Sequence, residues 1–165
     1  MQTSFTENQL KDKDNKTSET IIRKCVHCGM CNATCPTYGI NGEELEGPRG
    51  RIYLIKDMLE NKKPATKQIA KHIDSCLSCY SCMTTCPSGV NYMHLIDHGR
   101  NYVEETYKRP FFDRLFRNIL SFVLPRPKVF LLMALSSKII KPFSFLFPKF
   151  LKNALNLMPD KIPSK

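Results

Sequence analysis

Eight cysteines between residues 25 and 86 are the residues whose type and spacing could do chemistry. They fall into two runs that both read C-x2-C-x2-C-x3-C-P, and the second run starts 51 residues after the first. Thiolates at such close spacing are soft ligands for metal centres. In chain order the runs are Cys25, Cys28, Cys31 and Cys35, then Cys76, Cys79, Cys82 and Cys86.

The spacing predicts two [4Fe–4S] clusters. Three cysteines at two-residue gaps fill three corners of a cubic cluster from one loop, and in two-cluster ferredoxins the fourth cysteine, before proline, ligates the other cluster. Because each cluster takes ligands from both repeats, the repeats depend on each other. The clusters also link parts of a region whose hydrophobic core is small. The predicted ligands are Cys25, Cys28, Cys31 and Cys86 for cluster one, and Cys76, Cys79, Cys82 and Cys35 for cluster two.

Structural zinc and disulfides are the alternatives to the clusters. Zinc sites commonly combine two C-x2-C pairs around one tetrahedral ion, whereas each run here has three close cysteines and a fourth before proline. Disulfides belong to secreted proteins, and Met1–Thr20 has no apolar segment that would serve as a signal peptide. A zinc-held interaction module with no redox role is therefore kept as the remaining alternative.

Catalytic groups do not stand out beside the cysteines. The sequence shows no paired carboxylates, no triad and no phosphate-binding loop near them. Two clusters in one small region favour an electron carrier whose catalytic partner is another polypeptide. We expect no catalytic residue, no directly bound small-molecule substrate and no activity of this chain alone.

The net charge of +10 is unevenly distributed. Residues 1–24 and 25–107 contribute +1 and −1, and residues 108–165 contribute the remaining +10. This distribution argues against a chain that coats nucleic acid and against an acidic disordered chain. The longest apolar run, Val129–Leu135, is far shorter than the roughly twenty residues of a membrane span. We expect a cytoplasmic protein, with contact to the inner face of the cytoplasmic membrane as an option for its basic tail.

The segments around the cysteines are predicted to be helical, and the fold class mainly α. Apolar residues recur at three- and four-residue steps after Gly47-Pro48, before Cys76 and after Gly89, and almost nothing alternates with period two. The prediction is a flexible leader over 1–20, an α-helical ferredoxin-like domain over 21–108 and a basic, apolar, proline-broken helical tail over 109–165. The residues that carry the helical periods are Ile52, Ile55, Met58 and Leu59; Ile69, Ala70 and Ile73; and Tyr92, Leu95, Ile96, Tyr102 and Val103.

Flanking residues add a family resemblance. The segments CVHCGMC from residue 25, EGPRGRIYLIK from residue 46, HIDSCL from residue 72, TCPSGV from residue 85 and DHGR from residue 97 resemble the iron–sulfur subunit of bacterial glycolate oxidase. The match runs from about residue 21 to the Arg109-Pro110 region and continues more loosely to the end of the chain.

The resemblance implies a complex with flavin-binding subunits that oxidise glycolate, or in some cases D-lactate. The clusters would carry electrons from the flavin towards a membrane acceptor such as quinone. Related domains serve lactate utilisation, anaerobic glycerol-3-phosphate dehydrogenase and heterodisulfide reductase, and one of these complexes is the alternative. Family members continue into modules with a Cys-Cys-Gly signature, whereas this chain has no cysteine after Cys86. The tail is therefore predicted to lead to absent modules, or to dock on a membrane or on the flavoprotein.

A few other side chains have two interpretations each. His94 and His98 are spaced to bind a metal on one helix, but an ordinary helix face is favoured. Arg49 and Arg51 either offset cluster charge or pair with a partner, or else lie on a solvated first helical turn. His27 is taken as a partly exposed filler that could instead tune a cluster. The tyrosines near the cysteines, Tyr53, Tyr80 and Tyr92, are predicted to pack around the clusters.

Overall fold

A computed structural model describes residues 1–140, with side chains to residue 136. Within them the fold is mainly α and contains no strand, as predicted. Short 3-10 turns lie at Gln9–Lys11, Met30–Asn32 and Glu44–Glu46. The α-helices are α1 (Lys13–Lys24), α2 (Pro36–Asn41), α3 (Pro48–Asn61), α4 (Lys67–Asp74), α5 (Ser81–Thr85), α6 (Tyr92–Thr106), α7 (Phe111–Val123) and α8 (Pro127–Ile140).

The chain divides into two compact units, Met1–Lys108 and Arg109–Lys165. The first unit contains both cysteine runs and a hydrophobic core to which α1, α3, α4 and α6 all contribute. The predicted segments beyond residue 140, including the prolines from Pro142 to Pro163, lie outside the described residues.

Helix α3 is the central element of the first unit. Proline at its first position is favourable because the missing N–H has no helical partner there. The helix ends at Asn61 and is capped by Lys62, whose φ of 49° is left-handed. Its apolar face, predicted from the sequence, is buried and packs against α6. At the crossing, a Cβ on Gly99 would lie 2.8 Å from Cγ1 of Ile55, so only glycine permits this approach.

The N-terminal segment differs from the predicted flexible leader. Helix α1 begins at a side-chain cap in which Asp12 accepts a hydrogen bond from the backbone N–H of Asn15 at 2.8 Å. Before it, the side-chain amide of Gln9 is buried and donates to the carbonyl oxygen of Leu59 at 2.8 Å. Buried polar contacts of this kind carry no hydrophobic period, which is why periodicity did not indicate them.

The second unit is described as far as α8. Helix α7, in the predicted helical tail, has an apolar side, but most of that side is exposed in this unit, and Val123 is its buried member. The guanidinium of Arg126 lies 4.0 Å from the centroid of the Phe122 ring, a cation–π distance. None of the helices within residues 1–140 is by itself long and apolar enough to cross a membrane. Only Phe111–Val123 and Pro127–Ser136 taken together, at a bend of 114°, meet that length and composition.

Candidate iron–sulfur site

The first unit has two cavities that are lined by cysteines from both runs. One brings together three cysteines of the first run and Cys86 of the second, with Cys82 also on its wall. The other brings together three cysteines of the second run and Cys35 of the first. Each cavity therefore contains the four residues that the sequence assigned to one cluster.

Electrostatics show that the sulfur atoms of both cavities are crowded. The pKa of Cys31 is raised to about 11, first by burial and then by the charges of Cys25, Cys86 and Cys28. The pKa of Cys82, which lines both cavities, is raised to about 12, first by burial, then by the charge of Cys31 and after it by those of Cys76, Cys35 and Cys79. Thiols crowded in this way bind protons tightly unless a cationic metal centre replaces those protons. The donor set therefore fits two iron–sulfur clusters.

The two loops follow the same backbone course. His27 and Ser78, at equivalent repeat positions, have φ of 60° and 51°, and Gly29 and Tyr80, also equivalent, have φ of 84° and 56°. A left-handed conformation costs a non-glycine residue roughly 1–2 kcal/mol. Three of the four positions are not glycine and accept this cost. Both repeats therefore enforce the curvature that holds three cysteines on one side.

The fourth cysteine of each run lies beside a helix end. Cys35 precedes Pro36, the first residue of α2, and Cys86 follows the last residue of α5 and precedes Pro87. Each of these two cysteines is half-buried. The proline directs the chain out of the loop, so the fourth sulfur is presented to the opposite cavity.

Pro48, Cys82 and Tyr92 line both cavities. Tyr92 is buried, and its hydroxyl donates to Sγ of Cys76 at 3.7 Å. Burial is the first cause that raises the pKa of Tyr92, followed by the charge of Cys76, so the phenol remains a hydrogen-bond donor at neutral pH. The two cavities are therefore separated by a thin apolar wall that carries one hydroxyl group.

Arg51 lies at the centre of a buried polar network beside the second cavity. Its side chain is 1% exposed and pairs with Glu46, Nη2 to Oε2, at 2.9 Å. Nε donates to the carbonyl oxygen of His72 at 2.6 Å, and Nη1 faces Sγ of Cys35 at 4.0 Å. The solvated helical turn considered for Arg51 is therefore wrong, and so is pairing with a partner's carboxylate.

The carboxylate of Glu46 is held in its charged form within this network. Burial raises the pKa of Glu46, but hydrogen bonds from Ser75 and His72 and the charge of Arg51 outweigh that effect and leave it lowered. His72 Nδ1 lies 2.7 Å from Oε1 of Glu46. Glu43, Glu46 and His72 are close enough to share an ion, but Arg51 already balances the charge of Glu46.

Sequence reasoning assigned no role to Glu46, His72 or Ser75, although all three lie in segments that carry the family resemblance. No local pattern indicated them, because charged groups beside the start of an apolar helix are normally exposed.

Arg49 serves the first loop in a different way. Its guanidinium lies over Gly29, where an added Cβ would be 2.6 Å from Nη1, and it forms an ion pair with Glu44. The hydrogen bond from Arg49 is the first cause that lowers the pKa of Glu44. Because Arg49 and Glu44 are 32% and 44% exposed, solvent screens their charges far more than those of the buried pair.

The remaining candidate residues are placed as follows. His27 is half-buried beside the first cavity, and its Nδ1 has no hydrogen-bond partner among the described residues. Its pKa is lowered, first by burial and then by Arg49. Tyr80 lines the second cavity, but Tyr53 is 56% exposed, so packing around a cluster is wrong for Tyr53.

His94 and His98 form no metal site in the part of the chain with described side chains. His98 Nδ1 is hydrogen-bonded to Ser18 Oγ at 2.7 Å, and neither histidine belongs to a group of three ligating side chains there. The favoured interpretation, an ordinary helix face, agrees with this geometry.

Comparison with known proteins identifies the class of domain that holds the cysteines. Residues 21–90 match the family described as "4Fe-4S dicluster domain", so this part of the chain is a 4Fe-4S dicluster domain. Together with the eight cysteines, this establishes two [4Fe–4S] clusters as the cofactors.

The individual relatives are named as iron–sulfur subunits of particular enzymes. Over 143 residues, or 87% of the chain, the sequence is 48% identical to the glycolate oxidase iron-sulfur subunit of Escherichia coli (strain K12). It is 32% identical over 117 residues to the probable glycolate oxidase iron-sulfur subunit of Bacillus subtilis (strain 168), and 28% identical over 76 residues to the succinate dehydrogenase iron-sulfur subunit of Paracoccus denitrificans. The chain spans 35% and 26% of the first two relatives. No solved structure is significantly similar.

Proposed function

We propose that this protein is the iron–sulfur electron-transfer component of a glycolate-oxidising flavoenzyme. The observation that carries the proposal is the pair of adjoining cavities, one lined by five cysteines and the other by four, each set drawn from both runs, in a chain 48% identical to a glycolate oxidase iron–sulfur subunit. The partners are the flavin-binding subunits, and glycolate oxidation takes place on them.

The ligand assignment is part of the proposal. Cluster one is held by three cysteines of the first run and Cys86, and cluster two by three of the second run and Cys35. The cavity linings support this assignment, as do the thiols of Cys25, Cys86 and Cys28 that raise the pKa of Cys31. Residues 21–108 would then be the redox domain, with 109–165 as a separate tail.

The chemistry that the clusters supply is one-electron transfer. The chain's own residues hold the clusters and keep water from them: Cys25 and Cys82 are buried, and Pro48 and Tyr92 form the wall between the cavities. Cys28 and Cys79 are the exposed ligands, one for each cluster. We propose that electrons enter and leave on the sides where these two cysteines reach the surface.

The electron acceptor is proposed to be a quinone in the cytoplasmic membrane, with the tail as the contact. Support comes from α7, an amphipathic helix that carries exposed phenylalanines together with Arg114 and Arg117. Helices with apolar and basic faces lie in the interface of anionic membranes. Peripheral attachment at the inner face would bring the cluster domain close to a membrane acceptor.

The decisive experiment is anaerobic co-purification of the full chain with its flavoprotein partners. Two cubanes give about eight irons and eight sulfides per chain, and addition of glycolate is expected to bleach the cluster absorbance and produce the EPR signals of reduced clusters. Zinc without sulfide would overturn the cluster assignment. If the clusters are intact and another substrate reduces them but glycolate does not, the assignment of glycolate as the substrate is overturned and a related complex is favoured.

A further inference from the structure

The two cavities differ in the hydrogen bonds that side chains direct at their cysteines. In the second cavity the hydroxyl of Tyr92 donates to Cys76 at 3.7 Å, and the guanidinium of Arg51 donates to Cys35 at 4.0 Å. In the first cavity, among residues with described side chains, Sγ of Cys31 donates to Oδ1 of Asn32 at 3.9 Å, and in the second cavity Sγ of Cys35 likewise donates to the carbonyl oxygen of Glu46 at 3.7 Å. A thiolate ligand can make neither of these two bonds, so the donors from Tyr92 and Arg51 are the difference between the cavities.

Positive charge is also better placed at the second cavity. Arg51 is 1% exposed, and its Nη2 faces the carboxylate of Glu46 while its Nη1 faces Cys35, so the positive end of the ion pair points at the sulfur. Arg49, beside the first loop, is 32% exposed and paired with an exposed carboxylate. Solvent screening weakens the effect of Arg49, whereas a buried dipole keeps its strength.

Hydrogen bonds and positive charge at the ligand sulfurs stabilise the reduced form of a cluster, because reduction adds negative charge. We propose that cluster two has the higher reduction potential, and that Tyr92 and Arg51 are the positioning residues that set it. An electron supplied to this protein then rests on cluster two, and the loop around exposed Cys79 is the exit side. The inference rests on the proposed ligand assignment.

The test is an EPR-monitored redox titration of the full chain, reconstituted anaerobically and reduced chemically. Cys28→Ser and Cys79→Ser, which alter one exposed ligand each, assign the two signals to cluster one and cluster two. We expect Tyr92→Phe to lower the reduction equilibrium constant of cluster two about three- to tenfold, or roughly 30 to 60 mV for a one-electron couple. Tyr53→Phe, on an exposed side chain, is the matched control and should shift neither signal.

Exchangeable-proton couplings in the reduced cluster-two signal, measured by ENDOR in heavy water and light water, should lose one component in Tyr92→Phe.

Cluster one having the higher or an equal potential would overturn the inference. A Tyr92→Phe shift that is absent, or equal for both signals, would do the same. Chemical reduction keeps these outcomes separate from the proposed function: failure of glycolate to reduce the clusters leaves the potentials measurable. If Cys35→Ser altered the cluster-one signal, the ligand assignment would fail, and the contribution of Tyr92 would still be measured on the cluster that Cys76 holds.

Discussion

The loop from Cys25 to Cys31 and the loop from Cys76 to Cys82 have matching left-handed positions and matching exposed ligands, but their surroundings differ. A buried arginine and a buried tyrosine reach sulfurs of the second cavity, whereas the arginine of the first loop is partly exposed. Ligand spacing therefore determines the course of each loop, and residues far from it in sequence determine the electrostatic environment. A duplicated motif does not imply duplicated redox properties.

The largest expected effect tests whether the loops depend on each other. Cys35→Ser should alter the same EPR signal as Cys79→Ser, and Cys86→Ser the same signal as Cys28→Ser, because each fourth cysteine faces the opposite cavity. Iron content should fall from about eight towards four per chain in the variants that lose a cluster. If Cys35→Ser instead resembles Cys28→Ser, each run holds its own cluster.

The two arginines give the next largest contrast. Arg51→Met leaves the carboxylate of Glu46 buried without its counter-charge, and breaking a buried pair in this way costs about 3–5 kcal/mol. Arg49→Met removes a partly exposed pair and should cost under about 1 kcal/mol. Thermal unfolding of the holo-proteins at one scan rate measures both. Similar losses of stability in the two variants would show that burial of the Arg51 pair does not increase its contribution to stability.

The sequence predicted the features that depend on neighbouring residues, and it did not predict those that depend on residues distant along the chain. The cysteine spacing and the apolar period after Pro48 are local signals, and the two clusters and the helix that they predicted are confirmed. The assignment of each cysteine to a cluster stays a prediction. Arg51 and Glu46 are charged residues beside a helix start, where a solvated turn is the ordinary expectation. Their burial depends on His72, more than twenty residues away, and no pattern in the sequence encodes that approach.

The N-terminal segment was missed for a similar reason. Gln9 is fixed by carbonyl oxygens of α3, fifty residues further along the chain, and polar residues without a period are normally interpreted as unstructured. Only the Asp12 cap is a local signal there, and it is a common residue at a common position.

A third contrast concerns glycine inside and outside the first loop. Gly29→Ala should destabilise the protein by roughly 1–2 kcal/mol, because φ is left-handed and the new Cβ would meet the guanidinium of Arg49. Gly39→Ala is the matched control: it lies in α2, meets no atom within 4 Å, and should be neutral or stabilising by up to about 1 kcal/mol. Thermal midpoints of the two holo-variants measure the difference, and a loss of the same size at Gly39 would contradict it.

The smallest expected effect belongs to Glu44, the partner of Arg49. Its pKa in the folded protein is lowered from 4.5, first by the hydrogen bond from Arg49. The stabilisation is therefore fully present above pH 4.5, and it is lost as the pH falls through the lower folded value. Since Glu44 is 44% exposed, screening reduces the contribution to a few tenths of a kcal/mol.

Glu44→Gln should accordingly lower the thermal midpoint slightly and by a constant amount between pH 8 and pH 6, with the difference shrinking below pH 4.5. Raising the salt concentration should shrink it at every pH, because the pair is exposed. Glu46→Gln is the comparison in the buried network, where salt should have little influence. A salt-insensitive loss at Glu44 would show that the first loop is as well shielded from solvent as the second, and would remove the basis for treating their environments as different.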